Sequence, residues 1–416
     1  MGKRYSLFNK EFFWYCVRIA RRNRLLDLAY IMLDSWLHKK KLIHMKVESI
    51  EQYCEIHLED KIVEIEPSQY RPVYEAPYFE LSEGKEYQFR SPSIYVAFLH
   101  NVNAIGATGW VLTDEGLLCD ALKYDVDHRI DFRSGPIKRT ENDKAWVEVI
   151  QSTLELERAI NLCGTAAVNY YHFTVEILSR LEYVNQLAEA DGIPILVDEE
   201  VRMYSQLEQL LKVINLNREV IYVPSGIRIR VKLLIQPSMN TWMPFNVKSR
   251  EMFQISDNLM AKSGLENIRL HARKYIKKQT MKKIFISRTK SNALRVANES
   301  AITRLFSAAG FEIVFAETLS YIEQIELFSN AKCIVGASGA ALTNILYCHP
   351  GTVVGCIVPK EYDFWIYSTM AYLLGCNLLF ANPDIIYRGT CIGEDKYEMS
   401  EKQCEKYIEE ILKMCM

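Results

Sequence analysis

The spacing of hydrophobic residues changes twice along the chain, and the changes predict three kinds of local structure. In the first fifty residues, apolar positions recur at helical intervals, as in Leu26, Ala29 and Leu33. From about residue 47 to residue 131 the apolar runs are short and bounded by Gly, Asn or Asp, which predicts strands joined by tight turns. Beyond residue 166 the pattern becomes an alternation of helices and buried strands.

This alternation falls into two halves, separated by a proline-containing crossing at 237–245. The first half contains predicted helices at 170–190 and 205–214 and predicted strands at 193–197, 220–223 and 231–235. The second half contains predicted helices at 251–262, 296–309, 321–330, 341–348 and 364–374, and predicted strands at 284–287, 311–315, 333–335 and 353–358. Such alternation implies a mainly parallel sheet covered on both faces. The sequence therefore predicts an α/β fold with two Rossmann-like domains that face a cleft.

These patterns divide the chain into four expected parts: a basic helical extension (1–55), an N-terminal domain that is β-rich and then α/β (56–245), a C-terminal Rossmann-like domain (246–390) and a C-terminal helix (391–416). The first fifty residues hold eleven lysines and arginines against four acids. Such a basic amphipathic segment either packs on the main body with its lysines in solvent, or lies on the anionic inner face of a plasma membrane. The sequence leaves both alternatives open.

Composition narrows the class of protein. Lysine plus arginine (50) nearly balance aspartate plus glutamate (52), and the formal net charge of −2 gives no support for nucleic-acid binding. Eleven cysteines without any C-x-x-C pair indicate reduced thiols rather than a disulfide framework or a zinc ribbon. No apolar run approaches the ~20 residues of a membrane-spanning helix, and the N-terminus lacks the pattern of a signal peptide. We therefore expect a cytoplasmic protein.

The densest group of candidate functional residues lies in the second half. Arg288 leaves the carboxyl end of the predicted strand 284–287, where open α/β sheets bind their ligands. Its planar guanidinium suits a bidentate grip on phosphate. Asn298 and Glu299 begin the next helix, either as ligand-binding groups or as its N-cap and first-turn residue.

A run of small residues follows the next buried strand, at Ser338, Gly339, Ala340 and Ala341. Backbone N–H groups at such a junction can hold an anion, and small side chains let a phosphate approach closely. Tight packing of strand on helix is the alternative explanation. The loop lacks the Walker lysine and departs from the G-x-G-x-x-G fingerprint, which argues against a P-loop NTPase and a typical NAD enzyme.

In the first half, His172, Glu176 and Arg180 are spaced i, i+4, i+8 and share one face of the predicted helix. A histidine beside a carboxylate is a natural general base, because the carboxylate orients the ring and raises its affinity for a proton. A ladder of surface ion pairs is the alternative. One histidine and one glutamate fall short of a ligand set, so we expect no metal site here.

In order and spacing, these motifs resemble glycosyltransferase family 61, whose bacterial members are often capsular polysaccharide biosynthesis proteins. The resemblance spans about residues 90–380 and rests on Asn169, Tyr170, Tyr171, His172, Glu176, Arg180 and Leu181, on Ile286, Ser287, Arg288, Arg295, Asn298 and Glu299, on Gly310, Phe311, Glu317, Leu319, Ser320, Glu323, Gln324, Phe328 and Ala331, and on 339–344. It implies a GT-B arrangement, a nucleotide-sugar donor, inversion at the anomeric carbon, and catalysis without a metal or other cofactor. The N-terminal domain would then lie on the acceptor side and the C-terminal domain on the donor side.

The chain departs from the family pattern at three positions. Ser179 stands where proline is common, and Ser338 and Ala341 stand where many members have histidine and glycine. The serine removes one expected hydrogen-bond donor to the pyrophosphate but keeps the loop accessible.

With this resemblance, we expect Arg288 and the backbone of 338–341 to hold the donor diphosphate. His172 would take the proton of the acceptor hydroxyl with Glu176 as its orienting partner, or Glu176 would itself be the base. Arg180 would balance charge in the cleft. The other expected donor contacts are Asn298, Glu299, Glu317 and Asn344.

The expected activity is transfer of a hexosyl or pentosyl group from a nucleotide sugar, with a UDP-sugar favoured, to a glycan or lipid-linked glycan in capsular or surface polysaccharide synthesis. The expected location is the cytoplasm or the inner face of the plasma membrane, with no nucleic-acid partner. Two alternatives remain: a catalytically degenerate scaffold or nucleotide-binding protein of a glycan-assembly complex, and an NAD- or nucleotide-dependent α/β enzyme of another class.

Overall fold

The structure, a computed structural model, describes residues 28, 31, 32, 41–121, 125, 127–215, 217–289, 294–389 and 394–416. Its strands, numbered in chain order, are β1 (Lys41–Glu48), β2 (Lys61–Glu66), β3 (Tyr70–Glu75), β4 (Lys85–Arg90), β5 (Ile94–Ile105), β6 (Val111–Leu112), β7 (Leu117–Leu118), β8 (Ile137–Glu141), β9 (Lys144–Asn161), β10 (Ile195–Asp198), β11 (Val220–Val223), β12 (Ile227–Pro237), β13 (Lys282–Ile286), β14 (Glu312–Val314), β15 (Ala331–Ala337), β16 (Val353–Ile357), β17 (Asn377–Ala381), β18 (Asp384–Tyr387) and β19 (Lys396–Glu398). Its α-helices are α1 (Ile50–Ile56), α2 (Leu181–Asn185), α3 (Ser205–Ile214), α4 (Lys262–Ala272), α5 (Glu299–Ala308), α6 (Tyr321–Asn330), α7 (Ile366–Leu373) and α8 (Glu401–Met414).

The first sheet has ten strands in the order β1-β7-β6-β5-β12-β9-β10-β11, with β2 added on β5 and β8 on β9. Strands β12, β9, β10 and β11 are parallel to one another, whereas β5 pairs with β12 in the antiparallel sense. The first six residues of the long strand β9 also pair with β1, which closes a circuit of strands. The first half is thus a mixed sheet, with antiparallel pairs where tight turns join β5, β6 and β7 and parallel pairs among β9–β12.

The second sheet has five strands in the order β14-β13-β15-β16-β17, and every neighbouring pair is parallel. In chain order this is 2-1-3-4-5, the doubly wound order, in which ligands bind where the direction of winding reverses. That reversal falls between β13 and β15. Strands β15 and β16 are almost wholly buried, in keeping with the continuous apolar runs that predict them.

One hydrophobic core runs through both sheets, with Ile160 of β9 and Ile334 of β15 in the same cluster. The β3–β4 hairpin reaches across from the first half and packs on the second. Tyr74 stacks on Tyr372 of α7 with ring centroids 4.6 Å apart. The two halves are therefore held together by packed apolar surface, which is what fixes the candidate site between them.

The expected helical extension falls mostly outside the described residues, which omit 1–27, 29, 30 and 33–40. Residues 41–48 form strand β1 instead of the expected helix, because Ile43, Met45 and Val47 alternate with polar neighbours and pack on a core cluster. Helix α1 then begins at the N-cap Ser49.

The helix predicted over 170–190 is also different. Residues His172–Ile177 form a π-helix, Leu178–Arg180 a 3-10 turn, and α2 ends at Asn185. The hydroxyls of Thr174 and Ser179 donate to carbonyls four residues earlier, and such bonds compete with the regular α-helical ladder.

Two further helix boundaries need correction. The predicted helix at 251–262 is replaced by 3-10 turns at Arg250–Met252 and Ile255–Asn258, because the Asp257 carboxylate accepts from the Gln254 amide and fixes a turn. The predicted C-terminal helix of 391–416 begins only at Glu401, after strand β19.

Candidate active site

The predicted histidine–carboxylate unit is present at the start of the π-helix that follows β9. His172 Nδ1 lies 2.7 Å from Glu176 Oε2, and the imidazole is largely buried. Burial by itself would lower the pKa of His172, but the charge of Glu176 and its hydrogen bond outweigh burial and raise that pKa above its ordinary value. The carboxylate therefore acts on the imidazole as the sequence predicts.

The two members of this pair differ in what they face. Glu176 lines a large cavity, and its Oε1 is buried without a hydrogen-bond partner in the described part of the chain. His172 does not line the cavity and packs edge-on against Phe245, which does. Glu176 thus has one oxygen fixed by His172 and one oxygen left for a ligand.

Arg180 lines the same cavity one turn further on. Its side chain is buried, and within the described residues it makes two long hydrogen bonds, both of 3.4 Å, to the carbonyls of Ile177 and Pro237. Burial lowers the pKa of Arg180 to about 10, against the opposing charges of Glu176 and Asp120. None of the described carboxylates forms an ion pair with Arg180. The charges of Glu176 and Asp120 therefore act on the guanidinium, but neither acid is paired with it.

The cavity has a volume of about 770 Å³ and lies at the carboxyl ends of β9 and β12. This is the edge of a parallel sheet at which ligands bind. Its lining includes Trp110, Asp120, Phe132, Gly164, Glu176, Arg180, Pro237 and Trp242.

The second predicted cluster lies at the reversal point of the second sheet. Arg288 follows β13, Ser338 and Gly339 follow β15, and Arg288 Nη1 donates to the Ser338 carbonyl at 3.3 Å. Ser338 is fully buried, and its hydroxyl has no partner in the described part of the chain. Ala340 and Ala341 are partly exposed at the start of the 3-10 helix Ala340–Tyr347. The structure therefore brings together the arginine and the small-residue loop that the sequence predicts.

Arg295 joins this cluster, although the sequence analysis gives it no role. Burial lowers the pKa of Arg288, and the charge of Arg295 lowers it further, which places the two guanidiniums near each other. Neither arginine forms an ion pair with any described carboxylate, and Arg295 Nε is buried without a partner. The charge of Glu299 also acts on Arg288, but no described carboxylate is ion-paired with either guanidinium, and two adjacent cations of this kind are a typical anion site.

Glu299 positions the backbone of Arg288 through hydrogen bonds. It is buried, and its Oε1 accepts hydrogen bonds from the Arg288 amide and from the Ser287 hydroxyl, the latter at 3.0 Å. Burial raises the pKa of Glu299, against these hydrogen bonds. Its second oxygen is buried and without a partner among the described residues. Glu299 therefore fixes the backbone from which Arg288 projects.

The other expected donor contacts have different surroundings. Asn298 donates to the Met399 carbonyl at 2.7 Å and accepts from the Met399 amide at 3.4 Å. Asn344 is fully buried and bonded to Tyr170, Gln324 and the carbonyl of Ala341. Both amide groups are thus occupied by protein.

Glu317 is exposed in a 3-10 turn after β14, the strand next to β13. Its charge contributes to the raised pKa of Glu299, so it lies on the same edge of the sheet. Of the four additional donor contacts expected from the sequence, Glu317 is the one that is exposed, whereas Asn298 is half-buried and Glu299 and Asn344 are buried.

Contacts between the halves connect the two clusters. The Tyr170 hydroxyl donates to Asn344 Oδ1 at 2.8 Å. Tyr171, next to His172, packs edge-on against Tyr367 with centroids 6.2 Å apart. Burial raises the pKa of Tyr367, and the charges of Arg295 and Arg288 act against that rise. Tyr367 thus lies between the histidine–glutamate pair and the arginine pair.

Asp120 is a second site residue that the sequence analysis misses. It lines the cavity, and its Oδ1 accepts from the Tyr95 hydroxyl at 2.6 Å. Burial raises the pKa of Asp120 to about 6, opposed by this hydrogen bond. In the sequence, Asp120 is marked only as an acid two residues after the short apolar strand Leu117–Leu118. That is a weak signal for a functional residue.

Among the described residues no group of three or more His, Cys, Asp or Glu side chains is placed to hold a metal ion. Within the same residues no helix combines the length and the apolar character needed to span a membrane.

Comparison with known proteins finds one family model that matches part of the chain. No curated protein matches the chain. The family model described as Glycosyltransferase 61 matches residues 170–355, a region that begins beside His172 and contains Glu176, Arg288, Arg295 and the loop after β15. Residues 170–355 of the chain are therefore similar to glycosyltransferase family 61, and this match indicates that the protein is a glycosyltransferase.

Proposed function

We propose that this glycosyltransferase is an inverting enzyme that uses a nucleotide-diphosphate sugar as its donor. The observation that carries the proposal is the pair formed by Arg288 and Arg295, two neighbouring guanidiniums without a described counter-ion at the reversal point of a doubly wound sheet. Diphosphate is the part of such a donor that two arginines recognise best, because each planar fork can bind two phosphate oxygens.

On the donor side, the diphosphate lies on Arg288, Arg295 and the backbone of residues 338–341. Both guanidiniums supply the positive charge that the departing diphosphate needs, so the proposed reaction does not require a metal ion. Glu317, exposed on the same edge, contacts the ribose or base. A UDP-sugar is the favoured donor.

The proposed reaction is a single displacement. The oxygen of an acceptor hydroxyl forms a bond to the anomeric carbon of the donor sugar. The bond from that carbon to the diphosphate oxygen breaks, and its electron pair leaves with the nucleoside diphosphate. The hydroxyl proton passes to the enzyme. Because the displacement occurs once and from the side opposite the diphosphate, the anomeric configuration inverts and no covalent enzyme intermediate is formed.

Glu176 is the base in this proposal, and His172 is its positioning residue. The support is geometric: Glu176 lines the cavity with an unpartnered oxygen, whereas His172 is bonded to the other oxygen and lies outside the lining. The sequence left the choice between the two open. A positioned general base contributes typically ~10²–10⁴-fold to rate.

The proposed acceptor is a glycan or lipid-linked glycan of a capsular or surface polysaccharide, and the proposed place of work is the cytoplasm or the inner face of the plasma membrane. Free thiols at all nine described cysteines accord with a reducing compartment. The basic N-terminal segment, which would make a membrane contact, lies mostly outside the described residues.

The test is a thermal-shift and calorimetry panel with UDP, GDP, CMP, dTDP, ADP and NAD, on the wild type and on Arg288→Ala. A ligand that binds only the folded state at a hundredfold excess over its Kd adds about 2.7 kcal/mol of stability. We expect one nucleoside diphosphate to give this shift and Arg288→Ala to lose it. Arg304→Ala, which removes an exposed arginine of the neighbouring helix α5, is the matched control and should keep it.

Other outcomes separate the alternatives. A shift with NAD alone would contradict the donor assignment and favour another class of α/β enzyme. Nucleotide binding without sugar transfer to any glycan acceptor would favour the degenerate scaffold.

A further inference from the structure

The floor of the 770 Å³ cavity carries an alternating set of charges. Arg180, Glu176 and Asp120 all line the cavity, and both carboxylates act on Arg180 electrostatically. Asp120 is fixed through one oxygen by the Tyr95 hydroxyl at 2.6 Å. Arg180 is more than nine-tenths buried, and its hydrogen bonds to the described residues are two long ones, to the carbonyls of Ile177 and Pro237. The floor thus presents a fixed carboxylate beside an incompletely bonded guanidinium, one an acceptor and the other a donor of hydrogen bonds.

The walls of the cavity are aromatic. Trp110 packs edge-on against Phe132 with centroids 5.7 Å apart, and Trp242 also lines the cavity. The indole nitrogen of Trp242 is buried and has no acceptor in the described part of the chain. An aromatic face is electron-rich, so it attracts the slightly positive C–H groups of a saturated ring. Phe89 and Phe245 extend the same apolar surface.

The charge of the lining selects among ligands. The described residues that line the cavity include five carboxylates and three guanidiniums. One of the three, Arg129, donates two hydrogen bonds of 2.5 Å to the Asp257 carboxylate, which neutralises its charge. A diphosphate is therefore repelled here, in contrast to the arginine pair of the second sheet. The alternation of acid and base on the floor suits a ligand that is neutral and rich in hydroxyls.

We propose that this cavity binds the acceptor as a neutral sugar, with ring hydroxyls bridging Asp120 and Arg180 and a ring face against the tryptophan wall. Asp120 is then a specificity-determining residue, and Glu176 receives the proton of a neighbouring hydroxyl. This inference rests on the proposed function, since it takes Glu176 as the base. The volume lies within the range of small-molecule sites, about 300–1,000 Å³.

The test is quenching of intrinsic tryptophan fluorescence in the full chain, with and without UDP. The probes are the neutral methyl glycosides of glucose, galactose, mannose, xylose and N-acetylglucosamine, the anion glucuronate and the cation glucosamine. We expect at least one neutral glycoside to quench, and to bind more tightly than both charged sugars. Trp242→Phe should reduce the quenching.

Asp120→Asn should weaken that binding about tenfold or more, because a hydrogen bond to a charged acceptor is lost. Asp127→Asn, an exposed acid outside the lining, is the matched control and should leave the affinity unchanged. If Asp120→Asn unfolds, Tyr95→Phe removes only the hydroxyl that orients Asp120 and should weaken binding in the same direction.

Three results would overturn the inference: no quenching by any neutral glycoside, tighter binding of glucuronate or glucosamine, or equal affinities in Asp120→Asn and Asp127→Asn. The proposed function is separable from it, because UDP binds at the arginine pair of the other sheet. If the wild type binds UDP but no sugar, the cavity assignment alone is wrong. If the wild type binds no nucleotide, the proposed function is contradicted.

Discussion

The Arg288 guanidinium occupies the space that a side chain at residue 339 would fill, at the edge of the second sheet. A Cβ atom on Gly339 would lie 2.3 Å from Arg288 Nη1, the nitrogen that donates to the Ser338 carbonyl. The φ angle of Gly339 is 168°, an extended conformation that any residue adopts. Glycine is thus required here to seat the guanidinium, and backbone strain plays no part.

Gly339→Ala should therefore displace Arg288 and weaken binding of a nucleoside diphosphate about tenfold or more, because charge-assisted hydrogen bonds are lost. Isothermal calorimetry with UDP measures the effect. The double variant provides the control: in an Arg288→Ala background, adding Gly339→Ala should cost nothing further. A full additional loss in that background would show that the alanine acts by another route.

The histidine–glutamate pair gives a second prediction. Glu176→Gln should lower turnover by ~10²–10⁴-fold, the usual worth of a general base, and leave the Kd for UDP unchanged. His172→Gln should cost less, because it disturbs only the orientation of Glu176. Initial rates of sugar transfer, with UDP calorimetry alongside, measure both.

A matched control exists on the next helix. Glu182 forms the same kind of pair with His271, at 2.9 Å, outside the lining of the cavity. Glu182→Gln should keep near wild-type turnover. If Glu176→Gln stays within a few-fold of wild type, or if His172→Gln costs more than Glu176→Gln, Glu176 is not the base.

The pKa of His172 gives a third prediction. Glu176 raises it and burial lowers it, so Glu176→Gln should bring the pKa below the ordinary value of about 6.5. Side-chain NMR titration of labelled protein measures both values, with the His172→Gln spectrum assigning the resonance. A pKa that stays above the ordinary value in Glu176→Gln would refute this account.

The same shift has a consequence for stability. Because the folded-state pKa of His172 is raised, its contribution is fully present below about pH 6.5 and is lost as pH rises through the folded-state pKa. In Glu176→Gln the sign should reverse, since a buried histidine with a lowered pKa opposes folding as pH falls. Denaturant unfolding of both proteins across this window shows the difference in slope.

The second half of the molecule is the part that the sequence predicts well. Arg288 and Ser338 follow separate buried strands, and the carboxyl ends of neighbouring parallel strands meet at one edge. Periodicity and small residues are local signals, so they are enough to bring the arginine and the loop together. The spacing of His172 and Glu176 is equally local, and their contact survives the change from α- to π-helix.

Features that depend on distant segments could not be predicted. The partners of Asn298 and Asn344 lie 101 and 174 positions away in the chain, at Met399 and Tyr170. An asparagine has the same appearance in a sequence whether it binds a nucleotide or a remote strand. The cavity is lined by residues from many separate segments. The role of Asp120 can therefore be recognised only once the fold brings it near Arg180.

The last prediction concerns Asn298, which either holds the backbone near Met399 or binds the donor. The first role affects the free energy of unfolding and the second affects the Kd for UDP. Its amide makes two hydrogen bonds with the Met399 backbone, at 2.7 and 3.4 Å, and these hold the segment that leads into α8. Asn298→Ala leaves a carbonyl and an amide unpaired, so the free energy of unfolding should fall by about 1–3 kcal/mol. The Kd for UDP should stay within about twofold of wild type, less than ~0.5 kcal/mol. Denaturant unfolding and calorimetry on one preparation measure both, and a tenfold loss of UDP affinity at unchanged stability would instead make Asn298 a donor-binding residue.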